Sequence, residues 1–163
     1  MAAHLELLQL DLMLFKKKIK DAKSEAIVTT PSTASIKALK KLNVKKIAIF
    51  TPYSKKLNDE VLDFFKKENF EIKANSYFNI ESDIDIGKVD PNYLYEVLSN
   101  MNLNDAEVLF VSCTALPVLS IINKLEEKLN KVVLSSNQTL IWDSLNAIGC
   151  KNKVEGFGKL FNS

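Results

Sequence analysis

The chain has 163 residues, 22 of them basic against 20 acidic, for a net charge of +2; every basic residue other than the single histidine is a lysine. Without arginine there are no planar guanidinium forks for phosphate recognition, and lysines interspersed with acids do not form the basic face of a nucleic-acid binder. A hydrophobic content of 47% in a chain of this size fits one compact domain with a real core.

The opening stretch HLELLQLDLMLF is broken by Glu6 and Asp11 and is followed, not preceded, by lysines. It reads as an amphipathic helix over roughly Leu5 to Lys23, not as a signal peptide, and no run reaches the length of a membrane span. Residues 1–25 are therefore expected to form an N-terminal helix ahead of an α/β domain over 26–163. After the short apolar stretch AIVTT, Thr30 caps a helix that begins at Pro31, where a missing N–H costs nothing, and runs to about Leu42. The remaining elements alternate in type. KKIAIF, FEIKANSYF, AEVLFVS and KVVLSS read as strands. KKLNDEVLDFFKKEN, PNYLYEVLSNM, PVLSIINKLEEKL and NQTLIWDSLNAIG read as helices, the last stopped by Gly149. Apolar strands that are each followed by a helix predict a doubly wound α/β fold, a parallel sheet of about four strands flanked by helices. The tail KVEGFGKLF reads as a packing segment of no clear type.

Ligands of open α/β sheets sit at the carboxyl ends of the strands, so the residues just after each strand are the candidates for chemistry. Three such segments are rich in polar groups: Thr51-Pro52-Tyr53, Ser112-Cys113-Thr114 and Ser135-Ser136-Asn137-Gln138. Cys113, placed at the start of the following helix, would sit at the positive end of the helix dipole, which favours a thiolate. The N–H groups of Thr114 and Ala115 would then be available to a carboxylate or enolate oxygen. Each residue also has a plainer reading. Cys113 fits an inert buried thiol, Tyr53 a rim aromatic, Ser136 and Asn137 helix caps, and the lysine runs solvated helix faces. Cys150, after a helix rather than a strand, reads as structural. One histidine and two cysteines cannot make a tetrahedral zinc set, and the four glycines form neither a Walker nor a GxGxxG loop, so no metal and no cofactor are expected. Two cysteines without an export signal place the chain in the cytoplasm.

The stretches TTPSTASIKALKKLNVKKIAIFTPYSKKLNDEV, ESDIDIGKV and AEVLFVSCTALPVLSIINKLEEKLNKVVLSSNQTLIWDSLNAIG resemble, in order and spacing, the Asp/Glu racemase superfamily. Within it the similarity is to the branch of maleate cis-trans isomerases, arylmalonate decarboxylases and related ectoine-utilisation proteins. SCTAL followed by SSNQ and Trp142 is the specific part of the pattern, and the resemblance covers roughly residues 27 to 150.

The resemblance implies cofactor-independent, metal-independent chemistry on a small dicarboxylate, with Cys113 as catalytic residue. It implies substrate contacts from Tyr53, Ser112, Thr114, Ala115 and Asn137, with Ser82 and Asp83 as weaker candidates. Such enzymes have two similar halves with the site between them, and this chain resembles the second half. Association with a missing half-domain, or self-association, is therefore expected. The alternatives are a decarboxylase of a malonate-type acid and a non-catalytic fragment that needs a partner.

Overall fold

The structure, a computed structural model, describes residues 14–150 and 154–162. Residues 14–22 are helical (α1); the earlier part of the expected N-terminal helix, with Leu5, Leu8 and Leu12, lies outside the described residues. The elements that follow are α2 (Pro31–Lys41), β1 (Lys46–Thr51), α3 (Lys55–Lys67), β2 (Glu71–Tyr77), α4 (Asp83–Gly87), α5 (Pro91–Ser99), β3 (Val108–Val111), α6 (Ile122–Leu129), β4 (Val132–Ser135) and α7 (Ser136–Ala147). Among the described residues no helix is long and apolar enough to cross a membrane.

The four strands form one parallel sheet in the order β2-β1-β3-β4. Parallel strands need crossover helices, and those helices bury both faces of the sheet. The two faces are read off by alternation. Ala48, Phe50, Leu109 and Val111 pack with Leu94, Leu98 and Leu125 of α5 and α6. Ile47, Ile49, Val108 and Phe110 pack on the other side with Leu39 of α2 and Phe65 of α3. The edge strand β2 differs from the expectation of strands buried throughout, since its residues are only partly covered.

Local signals set the helix boundaries. Thr30 caps α2 with a reciprocal pair of bonds to Thr33, and Asp90 caps α5 through the N–H groups of Asn92 and Tyr93. A buried Asp143 on α7 receives both Lys37 from α2 and the Thr29 hydroxyl, tying the linker and two helices together.

Sequence patterning missed one piece and left the type of another open. The five-residue α4 is too short for periodicity to register, and Ile86 anchors it in the core. The tail ends in a 3-10 turn, Lys159–Asn162, whose Leu160 is fully buried in the core of the α2/α3 face. Three side chains hold this tail. Asn123 Oδ1 accepts the Gly158 N–H at 2.7 Å, Glu126 Oε2 accepts the Lys159 N–H at 2.9 Å, and Gln138 Nε2 donates to Phe157 O at 2.5 Å. Glu126 also accepts the Val133 N–H of β4 at 3.1 Å. Burial raises the Glu126 carboxyl above its ordinary range, while the two N–H bonds and the Lys159 charge pull the other way.

Two outcomes follow from this clamp. Gly158 has φ +87°, and a Cβ there would lie 2.6 Å from Ile122 Cγ2 and 2.7 Å from Gln138 Nε2. Gly158→Ala is expected to cost about 2–4 kcal/mol in urea unfolding, against about 1 kcal/mol for Gly156→Ala, whose Cβ would meet open space. A folded-state carboxyl raised above its unfolded value binds more protons in the native state. Its contribution is therefore most favourable below the unfolded carboxyl range and is lost as pH rises through the folded value. Glu126→Gln is expected to flatten that segment of the stability–pH curve.

Candidate active site

The strand register aligns the carboxyl ends. Phe50 sits beside Val111, and Val111 beside Ser135, so Tyr53, Cys113 and Asn137 all emerge within three residues of one sheet edge. The β1 end continues to pair beyond the strands. Phe78 donates to Thr51 O at 3.1 Å, Ile80 to Pro52 O at 2.8 Å and Asn79 to Tyr53 O at 3.1 Å. These bonds lay the Tyr53 loop against the segment that leads to α4. From there the Tyr53 side chain packs on the cluster that contains Cys113. Burial raises the Tyr53 phenol well above its ordinary value, and the neighbouring Cys113 and Asp83 side chains push the same way. A phenol so shifted stays protonated and keeps its hydrogen available to donate.

Cys113 itself is not at a helix start. The 3-10 turn begins at Leu119 and α6 at Ile122, so residues 112–118 form a loop in place of the expected first helical turn. The reason is a tight turn around Pro117, where Val118 N–H donates to Leu116 O at 2.9 Å and both side chains are buried. A helix starting at Pro117 would break that turn and rotate one of these anchors out of the core. The dipole of the following helix is therefore not what surrounds the thiol. Its nearest backbone donor is the Ala115 N–H, 3.3 Å from Sγ. That N–H, expected for a carboxylate, is engaged by the sulfur.

The other candidates separate into roles. Asn137 Nδ2 donates to Thr114 O at 2.8 Å, so Asn137 braces the Cys113 loop from the first turn of α7. Ser82 caps α4 by accepting the Asp85 N–H, and Asp83 is solvent-exposed yet within electrostatic reach of Tyr53. Ser112 and Thr114 join Tyr53, Ser136 and Ser32 on the wall of a cleft of about 430 Å³ between α2 and α3. Cys113 is 3% exposed and is not part of that wall. Strand parity explains the split: Ser112 continues the Phe110 side toward the cleft, and Cys113 the Val111 side toward α5 and α6. The Tyr53 ring spans both, lining the cleft while packing on the thiol's cluster.

A buried polar group below the site was not visible to pattern reading. Asn58, 1% exposed, accepts the Thr51 hydroxyl at 2.9 Å and donates to Asn75 Oδ1 at 3.0 Å, and Asn75 in turn donates to Ile49 O at 3.1 Å. The available signal was an asparagine on the inward face of α3, aligned with Val61 and Phe65. Among the described residues no three His, Cys, Asp or Glu side chains gather as a metal site.

This doubly wound parallel layer is shared with a family defined by comparison. The model of the arylmalonate decarboxylase family matches residues 13–161, and the chain belongs to that family. Maleate isomerase from Geobacillus stearothermophilus is 28% identical over 138 residues, which cover 84% of this chain and 55% of that enzyme. Arylmalonate decarboxylase from Bordetella bronchiseptica is 28% identical over 137 residues, covering 82% and 57%. The crystal structure of the maleate isomerase Iso from Pseudomonas putida S16 superposes with a TM-score of 0.83 at 25% identity, over 87% of this chain and 58% of that one. The chain thus spans little more than half the length of the curated relatives it matches.

The bracing role of Asn137 has a direct measurement. Asn137→Ala is expected to speed hydrogen exchange of the Ala115 amide by about tenfold, the loss of roughly one net hydrogen bond, while the Leu109 amide in β3 keeps its protection. Unchanged exchange at Ala115 would show that the loop holds itself.

Proposed function

We propose that this chain is the cysteine-bearing half of a cofactor-independent isomerase acting on a small dicarboxylate of the maleate type. The observation that carries this reading is the Tyr53 side chain packed on the cluster that contains Cys113 at the carboxyl edge of the sheet, where burial keeps its phenol protonated. The names of the relatives supply the substrate class.

In this reading the Cys113 thiolate adds to one carbon of the double bond. A C–S bond forms, and the π electron pair moves to the neighbouring carbon and its carboxylate as an enediolate. Tyr53 donates to a carboxylate oxygen as that charge develops. Rotation about the new single bond and return of the pair, with cleavage of C–S, releases the trans isomer. The N–H of Ala115, which faces the sulfur in the free protein, is the backbone donor nearest the developing charge. The remaining contacts belong to a second half, in a longer chain or a second copy. The relatives' greater length supports this, as do the exposed Ile27, Ile141 and Ile148, at 65%, 46% and 75%.

The test is conversion of maleate to fumarate followed by proton NMR. It is run on this chain and on any longer reading frame that contains it, with an arylmalonate as the parallel substrate. Cys113→Ser is expected to abolish turnover with the fold intact, and Tyr53→Phe to lower kcat by about a hundredfold to a thousandfold. Loss of carbon dioxide from the arylmalonate with maleate untouched would make the protein a decarboxylase instead. Full activity of Cys113→Ser would remove the thiol from the chemistry.

A further inference from the structure

We infer that Asn79 is a positioning residue for the Tyr53 phenol, fixing it against Cys113 by clamping the loop that carries it from two sides at once. The inference rests on the reading that Tyr53 serves the Cys113 site.

Ser54 occupies the N-cap position of α3, but its side chain makes no capping bond. Lys55, the first residue of that helix, donates its N–H to Asn79 Oδ1 at 3.3 Å. The cap of α3 is thus supplied by a residue beyond the end of the neighbouring strand β2. The same Asn79 donates its own N–H to Tyr53 O at 3.1 Å. One residue therefore holds the backbone on both sides of Ser54. Its φ of +63° brings amide and side chain to the same loop, a conformation that asparagine tolerates far better than most side chains.

Other bonds hold the loop's base rather than its tip. Below the sheet edge, Asn58 and Asn75 fix Thr51, and Phe78 and Ile80 pair with Thr51 and Pro52. Among the described residues, the loop bonds from the β2 side that reach the backbone of Tyr53 and Lys55 are those of Asn79. A phenol is a long lever, and a tilt of the Tyr53 backbone of about 10° moves its oxygen by roughly 1 Å relative to the Cys113 cluster it packs on, enough to spoil a hydrogen bond. A residue that merely completed α3 would affect stability alone. A residue that aims Tyr53 would also change the chemistry of Cys113.

The experiment reads the rate of Cys113 alkylation by iodoacetamide at pH 7.5. The folded chain is used, Cys113 and Cys150 are resolved by peptide mass spectrometry, and the melting temperature of every variant is measured alongside. Tyr53→Phe is expected to slow Cys113 by about tenfold, because the sulfur loses its phenol donor. Asn79→Gly, which permits the same φ but lacks the amide, is expected to slow it severalfold. The double variant should react no more slowly than Tyr53→Phe alone. Asn79→Asp, which keeps the acceptor for Lys55 N–H, should stay within about twofold of the parent. If Asn79→Gly melts below the assay temperature, Asn79→Ser carries the comparison, since its shorter hydroxyl does not reach Lys55. A slow Tyr53→Phe with a parent-like rate in the Asn79 variant would overturn the role of Asn79 and leave the site reading standing. Additive slowing in the double variant would also overturn it. No change in Tyr53→Phe would remove both.

Discussion

Everything at the strand-end edge depends on β1 being paired on both sides. With β2 on one flank and β3 on the other, its backbone has no freedom to slide, and the parallel register carries that constraint across to β4. The pairing outlasts the strands themselves, with Ser112 N–H donating to Phe50 O at 2.9 Å on one side and Phe78, Asn79 and Ile80 donating to residues 51–53 on the other. Loops that leave a sheet usually loosen within a residue or two. Here the two that carry the phenol and the thiol are still held in register when they reach the edge, which is what brings Tyr53 onto the cluster that contains Cys113.

That constraint also divides the edge into two compartments. The period-two alternation of a strand sends successive residues to opposite faces, and the Cys113 loop keeps this parity for two residues past Val111. Polar Ser112 and Thr114 open toward a roomy, mostly apolar cleft, while the thiol turns into the α5/α6 layer. Tyr53 is the side chain common to both. A ligand seated in the cleft and a change in the state of the sulfur therefore bear on the same ring, and a displacement of Tyr53 by one is felt by the other.

Much of this was legible in the sequence. The Thr30-Pro31 and Asp90-Pro91 helix starts, the four apolar strands and the gathering of Tyr53, Cys113 and Asn137 at one edge follow from caps, periodicity and the rule for open sheets. What failed to show was set by tertiary packing. A proline followed by an apolar periodic run reads as a helix start, yet Leu116 and Val118 are both pulled into the core and hold the chain in a turn, so Cys113 lies in a loop. Asn79 gives no local signal as a cap, because the helix it caps lies earlier in the chain and the contact exists only once β1 and β2 are paired. The placement of Ser82 as a cap and of Asp83 in solvent likewise depends on Ile86, an apolar residue whose burial creates α4 where no period could announce it.

The Lys159–Asn162 turn has a consequence for the order in which the fold is made. Leu160 fills a place in the core beside Leu39, Phe110 and Leu134, although it comes after every strand and every α-helix among the described residues. During synthesis the whole sheet and its helices emerge before the residue that seals this face does. Until Leu160 arrives, Asn123, Glu126 and Gln138 lack the bonds they make to the backbone around Gly158, and the place Leu160 fills in the apolar layer is open. This face is thus completed by contacts between residues far apart in the chain, a closure that carries a loop-entropy cost the earlier elements do not share.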